Sequence, residues 1–353
     1  MSLVSIVRWA QGDKKVRIKV TPCQPIISST LKQGTPQLNK AKVAIGLALP
    51  QYGSIASPES ILHVAIEAEK KGLASVWVSD RLFLPTNPKD SFNDGPWPEI
   101  FATVYDPIET LTYVAAKTKN VKLGSSVVDA LFQNPVTLAR RYATLDRLSG
   151  GRVIAGIGQG DFRDEFEAAN VPIKRRGRGF EEFVLAMRAV WGPDPVSFNG
   201  EFYKIPPSRI GPKPVQPGGI PLLIGAFAPK ALDRAARISD GIMPSVGKRT
   251  TIESLREILD SFRSGVRRPG RDPADTMAIL NVHNKLDERE AAEPRPLLSG
   301  SPKQAASDLP KIEMLGINHI FFDMNFPAEV PIDTQLEQLG MLVKLSQNQV
   351  LST

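Results

Sequence analysis

From Val43 onward the chain alternates short apolar runs with amphipathic segments. The run 43–50 (VAIGLALP) is apolar throughout and too short for a helix, so it predicts a strand buried on both faces. Residues 57–71 predict a helix. Ser57 can cap it, Pro58 suits its first position, Ile61, Ala65 and Ala68 share a face, and Gly72 ends it. The pattern then recurs, with strands predicted at 74–79, 121–128, 152–158, 221–226, 241–245, 277–283 and 319–324. Helices are predicted between and after them at 106–117, 134–147, 178–191, 229–238, 251–266, 302–315 and 334–345. Asp106 and Glu109 flank Pro107 like a capping box, Asn134-Pro135 opens the third helix, and Ser301 caps the seventh.

Strict alternation of strands and helices demands a parallel sheet with helices outside it. Eight such units favour closure, so the expected fold is α/β, a single (β/α)8 TIM barrel, with an open doubly wound sheet as the alternative. Two connections are too long for plain loops: 81–105 after strand two and 192–219 after helix four. The first should lie over the barrel mouth. The second carries VSFNGEFYKI, two short β runs around Asn199-Gly200, which is a hairpin signal.

Composition changes this picture at the N-terminus. The formal net charge is +7, yet residues 1–40 hold seven basic residues against one acid, Asp13, leaving about +1 for the remainder. The division expected is a basic, poorly ordered extension over 1–41 and a barrel domain over 42–353, with an anionic partner for the extension as the alternative. The body's charge gives no support to nucleic-acid binding. The single cysteine, Cys23, excludes a disulfide framework or a cysteine-based zinc site and fits a cytoplasmic protein. No run approaches the ~20 apolar residues of a membrane span. Arg8 interrupts the first apolar run, which argues against a signal peptide.

Barrel active sites sit at the C-terminal ends of the strands. The residues there include Gln51, Asp80, Arg81, Asp129, Gln159, Gly160, Asp161, His283, Asn284 and Asn325. Of three histidines, His63 falls on helix one, outside the barrel, and His319 at the bottom of strand eight, so only His283 can face the mouth. That is too few ligands for a metal-dependent barrel hydrolase, and there is no Gly-x-Ser-x-Gly elbow. A mouth poor in acid–base groups suits a cofactor that carries the hard chemistry. Gly156-x-Gly158-x-Gly160 after strand four reads as a tight turn or a close approach to a ligand, not the dinucleotide fingerprint. Gly225-Ala226-Phe227-Ala228 runs into a helix opened by Pro229, where backbone N–H groups can meet an anion. Lys174-Arg175-Arg176-Gly177-Arg178 is either an anion site or a solvated helix entry, and Trp97 either covers a planar ring or packs within its loop.

Residues 134–160, NPVTLARRYATLDRLSGGRVIAGIGQG, resemble the bacterial luciferase-like family. So, in order, do SVWVSDRL at 75–82, the helix 178–191, the PKPVQ, PLLIGAF and ALDRAARISDG motifs within 212–244, and residues 299–323. The resemblance covers about 42–350 and implies a TIM barrel binding FMN or the deazaflavin coenzyme F-420 over strands one to four. It implies a bulge with a non-prolyl cis peptide in strand three, at Ser125, Ser126 and Val127. It implies cofactor contacts at Gln51, Gly158, Gln159 and Gly160. It places the cofactor phosphate at Gly225, Ala226, Phe227 and Ala228, with Arg176 toward an acidic tail. The chain departs from the family where Asp80-Arg81 replaces a common Asp-His, Asn134-Pro135 a His-Pro, and Gly225-Ala226-Phe227-Ala228 a Gly-Gly-x-Ser. Asp80, Arg81 and His283 are the catalytic candidates, Arg81 as a charge-stabilising donor. The function implied is deazaflavin-dependent hydride transfer with a small organic substrate. FMN-dependent monooxygenation fed by a partner reductase is the alternative, and a non-catalytic flavin-binding protein a third. The resemblance also implies a homodimer.

Overall fold

The computed structural model describes residues 43–348 apart from 93, 267–271, 324 and 326–329; the predicted N-terminal extension lies outside the described residues. The strands are β1 (Ala44–Ala48), β2 (Ser75–Val78), β3 (Lys122–Ser125), β4 (Val128–Asp129), β5 (Val153–Gly158), β6 (Val196–Asn199), β7 (Lys204–Ser208), β8 (Leu222–Ile224), β9 (Gly241–Ile242), β10 (Ser245–Val246), β11 (Met277–Val282) and β12 (His319–Phe322). The helices are α1 (Pro58–Lys70), α2 (Pro107–Ala115), α3 (Pro135–Ser149), α4 (Arg163–Ala168), α5 (Arg178–Trp191), α6 (Pro229–Ile238), α7 (Ile252–Ser264), α8 (Pro302–Glu313) and α9 (Ile332–Asn348).

The parallel pairing runs β11-β12-β1-β2-β3-β5-β8-β9, and the pairing of Gly241 with Met277 and of Ile242 with Ala278 returns it to β11. This is a closed (β/α)8 barrel. Two of its eight positions are split strands, β3 with β4 and β9 with β10. The local signals set the helix starts: Ser57, Asp106, Asn134, Thr251 and Ser301 each accept backbone N–H bonds at an N-cap. Gly150, at φ +69°, ends α3 in the left-handed conformation.

Alternation along each strand divides the core. Trp77, Ile154, Leu223, Met243, Ile279 and Phe321 fill the barrel interior, while Val76, Val78, Val128, Leu280 and Ile320 pack outward against the helices. Trp77 stacks on Phe321 with ring centroids 4.4 Å apart. Gly124 gives it room, since a Cβ there would come within 2.2 Å of the indole.

The mouth differs from the hydrophobic pattern in three places. Strand three is not continuous over 121–128: the non-prolyl cis peptide that the family resemblance implies falls at Ser126–Val127 and separates β3 from β4. Strand six is likewise two short pieces. The region after strand four contains α4, which has too few residues to establish a periodicity. The insertion after α5 holds the expected hairpin, with Asn199 opposite Lys204. Its tip is pinned by Glu182, whose carboxylate accepts the N–H groups of Glu201, Phe202 and Tyr203 at 2.9, 2.7 and 2.6 Å.

Candidate active site

At the end of β1, Gln51 is buried and its side chain is fully engaged. Its Nε2 donates to the carbonyls of Ser79 and Tyr105 at 2.8 and 2.9 Å, and its Oε1 accepts the N–H of Ser79 at 2.6 Å. It staples the first two strands to the long loop. Ser79 Oγ in turn donates to the carbonyl of Ser126 at 2.7 Å, against the cis peptide. Ser125, by contrast, faces the helix layer: its Oγ lies 2.7 Å from the Tyr142 hydroxyl and bonds both backbone groups of Gly156. Val127 points inward beside the interior core. Gly158 is required next to it, because a Cβ there would sit 2.7 Å from Val127 and 3.4 Å from Asp129 Oδ1.

The loop after β2 folds into a second apolar cluster over the mouth, with Tyr52, Trp97 and Phe101 buried and Leu84, Phe92, Ile100, Val104 and Phe162 packed on them. Trp97 therefore packs within its loop: its ring lies 4.2 Å from that of Phe162, and its N–H donates to the carbonyl of Asp90 at 2.8 Å. Arg81 is embedded in this cluster. Its guanidinium carbon lies 4.7 Å from the Phe162 ring centre, 5.5 Å from Phe101 and 5.7 Å from Trp97. Its Nη1 donates to Glu165 Oε2 at 2.9 Å, and Glu165 Oε1 accepts the N–H of Leu82 at 2.9 Å. Glu165, on α4, is fully buried. Such a pair is costly to desolvate and stays together because either charge alone would cost more. Arg81 is thus a strut between strand two and the loop after strand four.

Beside it lie two more carboxylates. Asp80 Oδ2 accepts the N–H of Asp129 at 3.1 Å. Burial pushes the Asp80 carboxyl up to about 6; Asp106 and Glu165 push the same way, while the Asp129 N–H and Arg81 oppose them. Burial also holds Asp129 well above the usual carboxylate range, against the pull of Arg81 and helped by Asp80, Glu165 and Asp161. Among the described residues no group of His, Cys, Asp or Glu is arranged to hold a metal ion.

Across the mouth, β11 presents Asn281 on the interior register of Met277 and Ile279. Its Nδ2 reaches Ser126 Oγ at 3.4 Å, while its buried Oδ1 has no partner. His283 follows two residues later. It is about one-third exposed, with Nδ1 3.9 Å from Asp323 Oδ2. Asn325 braces Asp323, donating to its Oδ1 from both backbone N and Nδ2.

The strand-four and strand-five turns form a neighbouring group. Gln159 Oε1 accepts the N–H of Gly177 at 3.0 Å, tying the mouth to the basic segment. Gly160 has φ +77° and is packed by Phe132. Arg176 lies 3.6 Å from Asp161, Arg178 pairs with Glu201, and Arg175 stacks over Phe202 and Tyr203 at 4.7 and 5.1 Å. The run is therefore shared between holding the hairpin and facing solvent. Gly225 and Ala226 lead from β8 to Phe227 and Ala228 at the start of α6; Ala226 is buried, Phe227 is 57% exposed, and no side chain caps the helix.

Of the residues expected from sequence, Asp80, Arg81, Ser126, Val127, Gly158 and His283 come together around the strand ends. Gln51 and Ser125 support them from behind. The sequence reading passed over Glu165 and Asn281. Glu165 lies on a helix too short for a periodic signal; Asn281 was findable as the one polar residue on the inward register of its strand.

The site thus sits on a closed (β/α)8 barrel with a cis peptide in strand three and an aromatic cluster over the mouth. Residues 40–313 match the luciferase-like monooxygenase family, and the chain belongs to it. An F420-dependent glucose-6-phosphate dehydrogenase of Amycolatopsis mediterranei (strain U-32) is 30% identical over 284 residues, covering 78% of this chain and 80% of that protein. An F420-dependent secondary alcohol dehydrogenase, solved in complex with an F420-acetone adduct, superposes with a TM-score of 0.70 at 19% identity, over 86% of this chain and 99% of that one. The monooxygenase RslO1 from Streptomyces bottropensis gives 0.68 at 18% identity, over 87% and 99%. At those identities the two structures establish the fold. No helix among the described residues is long and apolar enough to cross a membrane.

Proposed function

We propose that this chain is a deazaflavin-dependent oxidoreductase that transfers hydride between coenzyme F420 and a small organic substrate. The observation that carries this reading is the similarity, over most of both chains, to an F420-dependent dehydrogenase. The residues fit a planar ring bearing N–H and C=O groups. The unpartnered Oδ1 of Asn281 offers an acceptor. The ring would rest against Ser126, Val127 and Gly158, and the phosphate would meet the backbone of Gly225 to Ala228 at the uncapped start of α6, with Arg176 near the tail. Bound there, the deazaflavin supplies a carbon centre that accepts or donates hydride without oxygen.

The chain's own contribution is positioning and exclusion of water. Glu165 holds Arg81, and with it the aromatic cover of Trp97, Phe101 and Phe162, over the strand ends. Arg81 cannot act as the acid–base group that a histidine at its position would supply, because a guanidinium keeps its protons. His283 lies at the rim with Nδ1 3.9 Å from Asp323 Oδ2, where its imidazole can meet substrate. Paired anaerobic titrations with the deazaflavin and with FMN, followed by cofactor fluorescence, test the reading. Tight binding of the deazaflavin alone supports it. Tight binding of FMN alone replaces it with monooxygenation and a partner reductase, and binding of neither removes the cofactor.

A further inference from the structure

The mouth holds more buried negative charge than it has cations to balance. Glu165 takes the Arg81 guanidinium through a direct 2.9 Å bond and the Leu82 N–H through another, which leaves Asp80 and Asp129 without a cation of their own. These two are linked by the Asp129 N–H to Asp80 Oδ2. Among the described residues nothing donates to the Asp129 carboxyl itself, which keeps 7% of its surface open. Its orientation follows from the strand: Val127 belongs to the interior cluster and Val128 to the outer one, so Asp129 turns inward. Gly158 lies opposite Asp129 in the ladder, and a Cβ there would sit 3.4 Å from Asp129 Oδ1. The charged and titratable groups around Asp129 are Asp80 and Arg81 from the end of β2, and Asp161 and Glu165 from the loop and helix after β5; Asp106 bears on Asp80 from the start of α2.

A buried carboxyl, Asp129, beside a half-buried one, Asp80, with no counter-ion of their own, resists ionisation of both at neutral pH. We propose that Asp80 and Asp129 hold one proton between them, and that Asp129 delivers it to a substrate carbonyl oxygen, making the substrate of this chain a carbonyl–alcohol couple. This rests on the deazaflavin reading above. Reduction of the carbonyl forms a C–H bond from a hydride, both of whose electrons come from the reduced deazaflavin. It also forms an O–H bond from the Asp129 proton, breaking the carboxyl O–H and leaving a carboxylate. Both carboxyls are then ionised, and a proton from water at the mouth restores the pair. The direction of both carboxyl shifts, upward and chiefly by burial, agrees with a resting protonated acid.

Carbon-13 carboxyl spectra of aspartate-labelled protein, recorded from pH 4 to pH 9 without cofactor, read the proton directly. The expected result is one aspartate still protonated at pH 7 that disappears in Asp129→Asn, while the Asp80 midpoint falls toward the ordinary range. All aspartates ionised at pH 7 overturn the proposal. If Asp129→Asn does not fold, Asp80→Asn reads the same coupling as a lowered Asp129 midpoint, and an unmoved midpoint is the contrary result. In turnover, Asp129→Asn should lose carbonyl reduction by about 10²-fold or more, with deazaflavin Kd changed less than about twofold and part of the rate recovered by Asp129→Glu. Retention of carbonyl reduction within about threefold overturns the delivery step. Failure of the wild type to bind deazaflavin overturns the cofactor reading and the delivery step together, and leaves the shared proton to be decided by the spectra.

Discussion

Polar groups are buried at both ends of this barrel, and the two ends treat them differently. Near the bottom, Trp77 Nε1 donates to Ser75 Oγ at 2.7 Å, and Ser75 Oγ lies 2.7 Å from His319 Nε2. Burial lowers His319 to about 4, so it is neutral and can accept the serine proton. Those three groups complete one another. At the mouth, three carboxylates face one guanidinium, and the Asn281 carbonyl oxygen has no partner. A polar circuit that is closed adds rigidity, and one that is open carries a cost which persists where ligands bind. The lower end is built to fold, and the upper end holds groups that only a ligand or a proton completes.

The largest test breaks the buried Arg81–Glu165 pair at the mouth. Glu165→Ala leaves Arg81 buried among three aromatic rings with no counter-charge, and should cost about 3–5 kcal/mol. Denaturant unfolding measures it. Arg81→Met combined with Glu165→Leu should restore most of that stability, since an apolar pair fills the same space. A single Glu165→Ala that costs less than about 1 kcal/mol would mean that Arg81 is solvated, and that the aromatic cover does not depend on it.

Two smaller substitutions must move stability in opposite directions. Ser75→Ala at the lower end strands the Trp77 N–H and the His319 nitrogen and should destabilise by about 1–3 kcal/mol. Asp80→Asn at the mouth should stabilise the protein at neutral pH. The sign follows from linkage: the Asp80 carboxyl is raised to about 6 in the fold, while the unfolded chain ionises near the ordinary aspartate value. The unfolded state therefore binds fewer protons between those values, and stability falls as pH rises through that window. Because Asp80 is only partly buried, the gain from Asn should be about 1–2 kcal/mol at pH 7, and nearly absent at about pH 3 where both states are largely protonated. Thermal unfolding at the two pH values checks this, and an equal gain at both would remove the electrostatic cause.

Much of the fold was legible because its signals are local. Ser57, Asp106, Asn134 and Ser301 mark their helices by side-chain chemistry within three residues, and the fully apolar β1 and β5 read as strands without reference to neighbours. The site was legible only where it follows from strand ends. Asp80, Arg81 and His283 could be placed at the mouth, but not the role of Arg81, because Glu165 comes to it across 84 positions of sequence. Gln51 sits where a ligand contact was expected, yet its amide is taken up by backbone groups that only the folded loop brings near. The break in strand three leaves no mark in the hydrophobic pattern, and the family resemblance alone pointed to it.

The smallest effect on stability belongs to Asn281, and it separates ligand binding from folding most cleanly. Its Nδ2 makes one long bond, 3.4 Å, and its buried Oδ1 makes none, so the side chain contributes little to the free protein while its carbonyl carries a desolvation cost. Asn281→Leu keeps the volume and removes the unpartnered oxygen, so unfolding should be unchanged or up to about 1 kcal/mol more difficult. If the oxygen is held open for a ring N–H, the same variant should weaken deazaflavin binding by about tenfold, or about 1.4 kcal/mol. Fluorescence titration and thermal unfolding on one preparation give both numbers. Unchanged affinity with lost stability would make Asn281 a structural partner of Ser126, and the mouth would then resemble the lower end more closely than its unpaired groups indicate.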